Sequence, residues 1–223
     1  VPIVYGGPIT MGGNIIWQSD PAETVHRFLG LCVREIDNIT NIKLDEQDIG
    51  GLAGCSATPY YGTSSQTPDS RCAGAVKGLK DLAYLAVTLQ RTDQLSSNPT
   101  TSCDVTGRRI KTWNGTTKSW ETNALSPSKN PAAIIRDYLM LSTVLGGAGL
   151  SETQIDNDAF GYVSEVCDEL IDNGNGGTEA RYEMTIVIDT KHAVLDNITS
   201  MLVCFNGGIF RRGAKYKLTL QHS

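Results

Sequence analysis

The chain has 223 residues, 40% of them hydrophobic and 19% charged, with a net charge of −5 and a pI near 5.2. That is enough apolar material to bury a core in one large domain or two small ones, and the acid surplus argues against a protein that wraps nucleic acid by neutralising phosphates. No apolar run approaches the roughly 20 residues of a spanning helix, and the opening VPIVYGGPITMGG lacks the charged start and apolar stretch of a secretory signal. A first residue of Val1 rather than Met points to a cleaved product or a piece of a longer protein.

The first half reads as β-rich. Ile3-Val4-Tyr5 and Asn14 to Trp17 are strands flanking a Gly- and Pro-bearing connection, Gly6 to Gly13. His26 to Val33 and Ile36 to Leu44 are two more, the second interrupted by Asn38, Thr40 and Asn41. From Gly50 to Ala75 the chain is rich in Gly, Ser and Thr, with Pro59 and Pro68, and reads as a long loop carrying Tyr60-Tyr61. Leu82 to Leu89 is apolar nearly throughout, the pattern of a strand covered on both faces.

Asp104 to Lys129 reads as strands and turns, and a helix follows directly. Asn130 is a good N-cap, Pro131 suits the first helical position, and Ile134, Ile135, Tyr138, Leu141 and Leu145 share a face before Gly146-Gly147 closes the segment. Ser151 with Gln154 offers a capping box ahead of a second helix over 158–171. Arg181 to Ile188 alternates like a half-buried strand, with Tyr182, Met184, Ile186 and Ile188 on one face. Val194 to Phe205 returns to helical spacing, and Lys215 to Gln221 is a last strand with Tyr216, Leu218 and Leu220 inward. The expected class is α+β: a β-rich portion over 1–111, with its long loop near 50–75, then a compact helix-helix-strand-helix-strand unit over 112–223.

Motifs that carry chemistry are not found. There is no G-x-S-x-G elbow, His26, His192 and His222 stand alone, and the glycine pairs fit no phosphate-cradling loop ahead of a helix. Cys32, Cys55, Cys72, Cys103, Cys167 and Cys204 lie 17 or more residues apart, matching neither zinc nor redox spacing, and read as mostly free, buried thiols. The N-x-T sequons at Asn38, Asn114 and Asn197 read as chance, the last inside a helix. Asp156, Asp158, Glu165, Asp168, Glu169 and Asp172 concentrate charge in Ser151 to Ala180, a stretch without Lys or Arg, and read as a solvated face. Asp172 to Gly177 has Gly174 and Gly176 where a calcium loop needs side-chain oxygens, and reads as a turn. No catalytic residue, metal ligand or cofactor is assigned.

The order of several short motifs carries a resemblance. Cys103-Asp104-Val105-Thr106-Gly107-Arg108-Arg109-Ile110, a Trp-bearing turn, and Asn130 to Leu139 resemble the hub region of phage tail tip proteins, the tip attachment protein J class and the related hub of gene transfer agents. Val1 to Gly6 with Gly13 to Trp17, Tyr61 to Asp69 ahead of the apolar strand, Phe160 with Cys167-Asp168-Glu169, and the Gly-rich turn into Lys215 to Leu220 fall in the same order. Cys32 to Ile36 departs from it, standing where the family has a Gly-Pro turn.

The resemblance implies a barrel-like β layer that closes a ring in a homotrimer, joined to the α+β unit. It further implies a baseplate hub at the virion tail tip, made in the bacterial cytoplasm, that closes the tail tube and seats the distal tail protein and tube neighbours. DNA would pass through without specific binding, no catalytic step would occur, and the family's host-facing domains would lie outside this chain. A rival reading, a secreted carbohydrate-binding module, draws on Trp17 and on the candidate interaction loops bearing Tyr60, Tyr61, Trp113 and Trp120, whose rings could stack on sugars.

Overall fold

The computed structural model describes residues 1–19, 23–72, 79–91, 93–95, 98–122 and 125–221, with the side chain of Cys72 outside that set. The chain forms two compact units, Val1–Arg108 and Arg109–Ser223. Strands and helices are mixed in the α+β manner expected.

The first unit contains β1 (Ile3–Tyr5), β2 (Ile9–Met11), β3 (Asn14–Gln18), β4 (Thr24–Val33), β5 (Ile36–Leu44), β6 (Gln47–Asp48), β7 (Ser56–Tyr61), β8 (Leu82–Gln90) and β9 (Thr101–Ile110), whose last two residues belong to the second unit. One antiparallel sheet runs β3–β4–β8–β7, and in a second β9 lies between β2 and β5, with β6 beyond. Alternation along β8 explains its apolar sequence. Ala83, Leu85, Val87 and Leu89 join Leu31, Cys32, Ile36, Ile39, Leu44, Cys103 and Val105 in the main core, while Tyr84 and Ala86 pack with Phe28 and Leu79. Both faces are covered, as expected, and each such aliphatic side chain contributes about 1.5–3 kcal/mol.

Two segments expected to be loops carry strands. β2 lies within Gly6 to Gly13, and β7 lies within Gly50 to Ala75, so Tyr60 and Tyr61 stand on a strand. Pro59 disguises β7 in the sequence, yet an edge strand tolerates a residue without an N–H. The expected barrel closure is not seen among the described residues: the sheet ends at β7 on one side and at β3, kinked by a bulge between Ile15 and Trp17, on the other. Between β4 and β5 Arg34 itself adopts φ 71, and Gly62 abuts it so closely that a Cβ there would meet the Arg34 carbonyl at 2.5 Å.

The second unit contains β10 (Trp113–Asn114), β11 (Ser119–Trp120), β12 (Ser126–Pro127), α1 (Pro131–Met140), α2 (Asn157–Asp168), β13 (Leu170–Asp172), β14 (Thr178–Ala180), β15 (Ile186–Ile188), α3 (Val194–Val203), β16 (Gly207–Arg212) and β17 (Lys215–Leu220). β10–β11, β13–β14 and β16–β17 are two-stranded hairpins. Asn130 caps α1 as predicted, accepting from Ala132 and Ala133 at 3.0 and 3.2 Å and donating to the Ser164 carbonyl at 2.9 Å. The helix packs on α2 and α3, and α2 packs on β17. Ile134, Ile135, Tyr138, Phe160, Val163, Met201 and Phe205 are buried.

α1 stops at Met140 instead of running to Leu145. Leu141 turns extended, and a separate 3₁₀ turn, Thr143–Leu145, is capped by Ser142 and closed by Gly146 at φ 87. The box of Ser151 with Gln154 forms, with Ser151 N–H on Gln154 Oε1 at 2.9 Å, but it caps the 3₁₀ turn Glu152–Gln154. Asp156, accepting from Ala159 N–H at 3.1 Å, caps α2.

Candidate functional site

Three of the four aromatic candidates are already engaged by their own unit. The Tyr60 ring stacks flat on Tyr84, 4.4 Å between centroids at 3°, and its hydroxyl donates to Asp69 Oδ2 at 3.1 Å. Trp113 and Trp120 meet edge to face at 5.4 Å. Trp120 is 7% exposed and donates to the Asn157 carbonyl, and Trp113 donates to Glu165 Oε1 at 2.7 Å. Tyr61, 37% exposed, keeps an open ring. Trp17 lies against Phe28 at 4.8 Å.

Around Tyr60 the segment after β7 is pinned to its own sheet. Arg71 grips the buried Asp69 through Nε and Nη2 at 2.7 and 2.6 Å, and its Nη1 reaches Thr88 Oγ1 at 2.7 Å and His26 Nδ1 at 3.2 Å. The guanidinium bonds outweigh the cost of burying the charge and hold the Asp69 carboxyl at about 2. His26, which stood alone in sequence, is part of this structural network.

Around the tryptophans a second network forms. Arg136 is 2% exposed; its guanidinium lies 4.4 Å over the Trp120 ring and bonds Asn157 Oδ1 and Glu152 Oε1. Lys118 Nζ contacts both oxygens of Glu165 at 2.6 and 2.8 Å, which together with the Trp113 bond lowers the Glu165 pKa. Gly161 makes room for this cluster, since a Cβ there would sit 2.5 Å from the Trp113 ring.

The acidic stretch is therefore not merely a solvated face. Four of its carboxylates are matched by cations from outside it: Glu152 by Arg136, Asp156 by Lys217, Glu165 by Lys118 and Glu169 by Arg181. Asp172 to Gly177 is the connection of the β13–β14 hairpin, where the Asp172 carboxylate accepts from Gly174 N–H at 2.7 Å. Among the described residues no group of His, Cys, Asp and Glu is placed to hold a metal ion, and no helix is long and apolar enough to cross a membrane.

The cysteines with described side chains are free thiols. Cys32, Cys103 and Cys167 are buried as expected, Cys55 is half-buried, and Cys204 departs by being exposed near the end of α3. Burial raises the Cys103 and Cys167 thiols to about 11 and about 12. Asn197 is also buried, its side chain donating to Tyr138 at 3.0 Å, in keeping with a chance sequon. His222 lies outside the described residues.

Basic residues concentrate at the end of the second unit: from Asn197 to Ser223 there is no Asp or Glu, while Arg211, Arg212, Lys215 and Lys217 fall within seven residues. Register places Phe210 opposite Lys217 and Arg212 opposite Lys215 on one face of the β16–β17 hairpin.

No protein-family model matches the chain, and no curated protein matches it in sequence. Solved structures do match in fold. One, a chain of the virion of a native gene transfer agent particle, superposes with a TM-score of 0.62 at 14% sequence identity, covering 98% of this chain and 52% of that one. This chain thus spans about half the length of that virion chain and shares its fold over nearly every residue.

Proposed function

We propose that the chain is a structural component of a long-tailed phage or prophage tail tip, part of the central baseplate hub that closes the tail tube and passes DNA. The observation that carries this reading is the fold match along 98% of the chain to a gene transfer agent virion chain. The order of motifs from Val1 to Leu220 supports it independently, because it rests on the residues and not on the fold. In this reading the hub is a homotrimer, its neighbours are the distal tail protein and the tail tube, and it has no catalytic step. The carbohydrate-binding alternative loses its main support, since Trp17, Tyr60, Trp113 and Trp120 spend their ring faces or polar atoms on internal packing.

The sheet edges at β3 and β7 suit such an assembly, because edges left open in one copy are a place for neighbouring copies or tail proteins to pack. Cryo-electron microscopy of the intact particle is the test. Density for this chain in three copies around the end of the tube is expected; six copies, or a position outside the tube wall, would overturn the assignment.

A further inference from the structure

We propose that Asn175 is a site of spontaneous covalent modification, at which the turn of the β13–β14 hairpin closes on the side-chain amide, releases ammonia and reopens with water as isoaspartate or aspartate. This goes beyond the tail-hub reading and stands without it. Asn-Gly is the pair most open to this reaction, because glycine has no Cβ to shield its nitrogen, and it occurs four times, at Asn114, Asn173, Asn175 and Asn206. Local sequence makes the four alike. Folding separates them.

Asn114 lies in β10 with both ends of its amide engaged: Oδ1 accepts from the N–H groups of Thr116 and Thr117 at 3.0 Å each, and Nδ2 donates to Glu121 Oε1 at 3.1 Å. Asn173 is half-buried, and its Oδ1 accepts from the N–H groups of Asn175 and Gly177 at 3.0 and 3.1 Å. The nitrogen that would attack it, that of Gly174, already donates to Asp172 Oδ1 at 2.7 Å. Asn206 is fixed through its carbonyl, which accepts from Gln221 N–H at 3.1 Å, and Gly207 belongs to β16 opposite Leu220. Asn175 differs from all three. It is exposed, and neither its side chain nor the Gly176 N–H has a hydrogen bond among the described residues. Gly176 adopts φ 80 with nothing within 4 Å of where a Cβ would stand, so the ring and the incoming water have room.

The step balances with water alone. Gly176 N gives up its proton and attacks Asn175 Cγ; a C–N bond forms, the bond from Cγ to the amide nitrogen breaks, and that nitrogen takes up a proton and leaves as ammonia. Water then opens the cyclic imide. Addition at Cγ yields aspartate, and addition at the Asn175 main-chain carbonyl yields isoaspartate, with the chain routed through the side chain. Nothing is oxidised or reduced. Either product adds a carboxylate to a chain of net charge −5, in a hairpin that already carries Asp172.

Peptide mapping by mass spectrometry, on the full chain incubated folded at mildly alkaline pH, tests this. Conversion at Asn175 is expected to run at least about tenfold faster than at Asn114, Asn173 or Asn206, the factor that about 1.4 kcal/mol of tethering at each of those sites supplies. Guanidinium chloride breaks the tethers, so in it the other three should rise to the Asn175 rate. Asn175→Gln, whose larger ring closes far more slowly, should remove the acid-shifted species from isoelectric focusing and leave the circular dichroism unchanged. An isoaspartate-directed carboxyl methyltransferase should label aged wild type and not this variant. Equal rates at the four sites in the folded chain, or a preference for Asn175 that persists in denaturant, would sink the proposal. So would acid-shifted species in Asn175→Gln at the wild-type level. Because the readout is the isolated chain, a failure here leaves the position of the chain in the particle to be decided by microscopy.

Discussion

Asp69 is nearly solvent-free, with three Arg71 bonds, one of them from its backbone N–H, and the Tyr60 hydroxyl on its oxygens. Its carboxyl lies at about 2 in the folded chain against 3.8 ordinarily. A lowered pKa means that the stabilisation, roughly 2 kcal/mol, is fully present above about pH 4 and is lost as pH falls toward about 2. Denaturant titration of wild type and Asp69→Asn should therefore show a gap near neutral pH that narrows across that window; a gap independent of pH would show that Arg71 contributes nothing through charge. At this scale some roles were legible and some were not. Asn130 and Pro131 announce a helix start because capping is local. Gly161 announces nothing, because the Trp113 ring that gives it meaning is distant in sequence.

Elements show the same division. Ile36–Leu44 appears as the expected strand, with a register shift between Thr40 and Lys43 where Asn41 interrupts it, and α3 begins where its spacing does. Arg181 to Ile188 alternates just as clearly, yet only Ile186–Ile188 is strand. The N–H groups of Arg181 and Tyr182 go instead to the carbonyls of Glu169 and Cys167, finishing the C-terminal end of α2, and that of Met184 goes to the Lys129 carbonyl ahead of α1, so none of the three enters a sheet ladder. Periodicity reports which side chains face inward and says nothing of where the backbone donors are spent. α1 is fastened by Arg136, on which the Trp120 ring, Asn157 and Glu152 converge. Arg136→Ala should cost roughly 2–4 kcal/mol, and Arg136→Lys should recover little of it, since an ammonium cannot lie flat on the ring while bonding both partners. Thermal melts of the three proteins decide it; a Lys variant as stable as wild type would reduce the residue to a simple charge.

For the whole molecule the thiols are built-in reporters of opening. Cys32 and Cys103 lie in the first unit and Cys167 in the second, all buried, whereas Cys204 is exposed. A disulfide-exchange reagent at neutral pH should modify Cys204 promptly and reach the three buried thiols only as denaturant unfolds the chain. Rapid native labelling of Cys103 or Cys167, read by mass spectrometry of peptides, would contradict the burial described. The α+β class and the main apolar strand are legible in the sequence, because both follow from local pattern. The open sheets seen among the described residues in place of a barrel are not, because closure is decided at edges, by Pro59 and by the bulge in β3.

The ion pairs that leave Ser151–Ala180 bear on how this chain can be recombined with a relative. Lys118 and Arg136 lie before the stretch and Arg181 and Lys217 after it, so every pairing crosses its boundary. A chimaera that imports only this segment would strand four cations, one of them buried, unless the donor happened to keep each carboxylate in register. Crossovers that exchange residues 109–223 as one block keep all four pairs together. Shuffled libraries of such chains should therefore be enriched, among their folded members, in breakpoints outside that block.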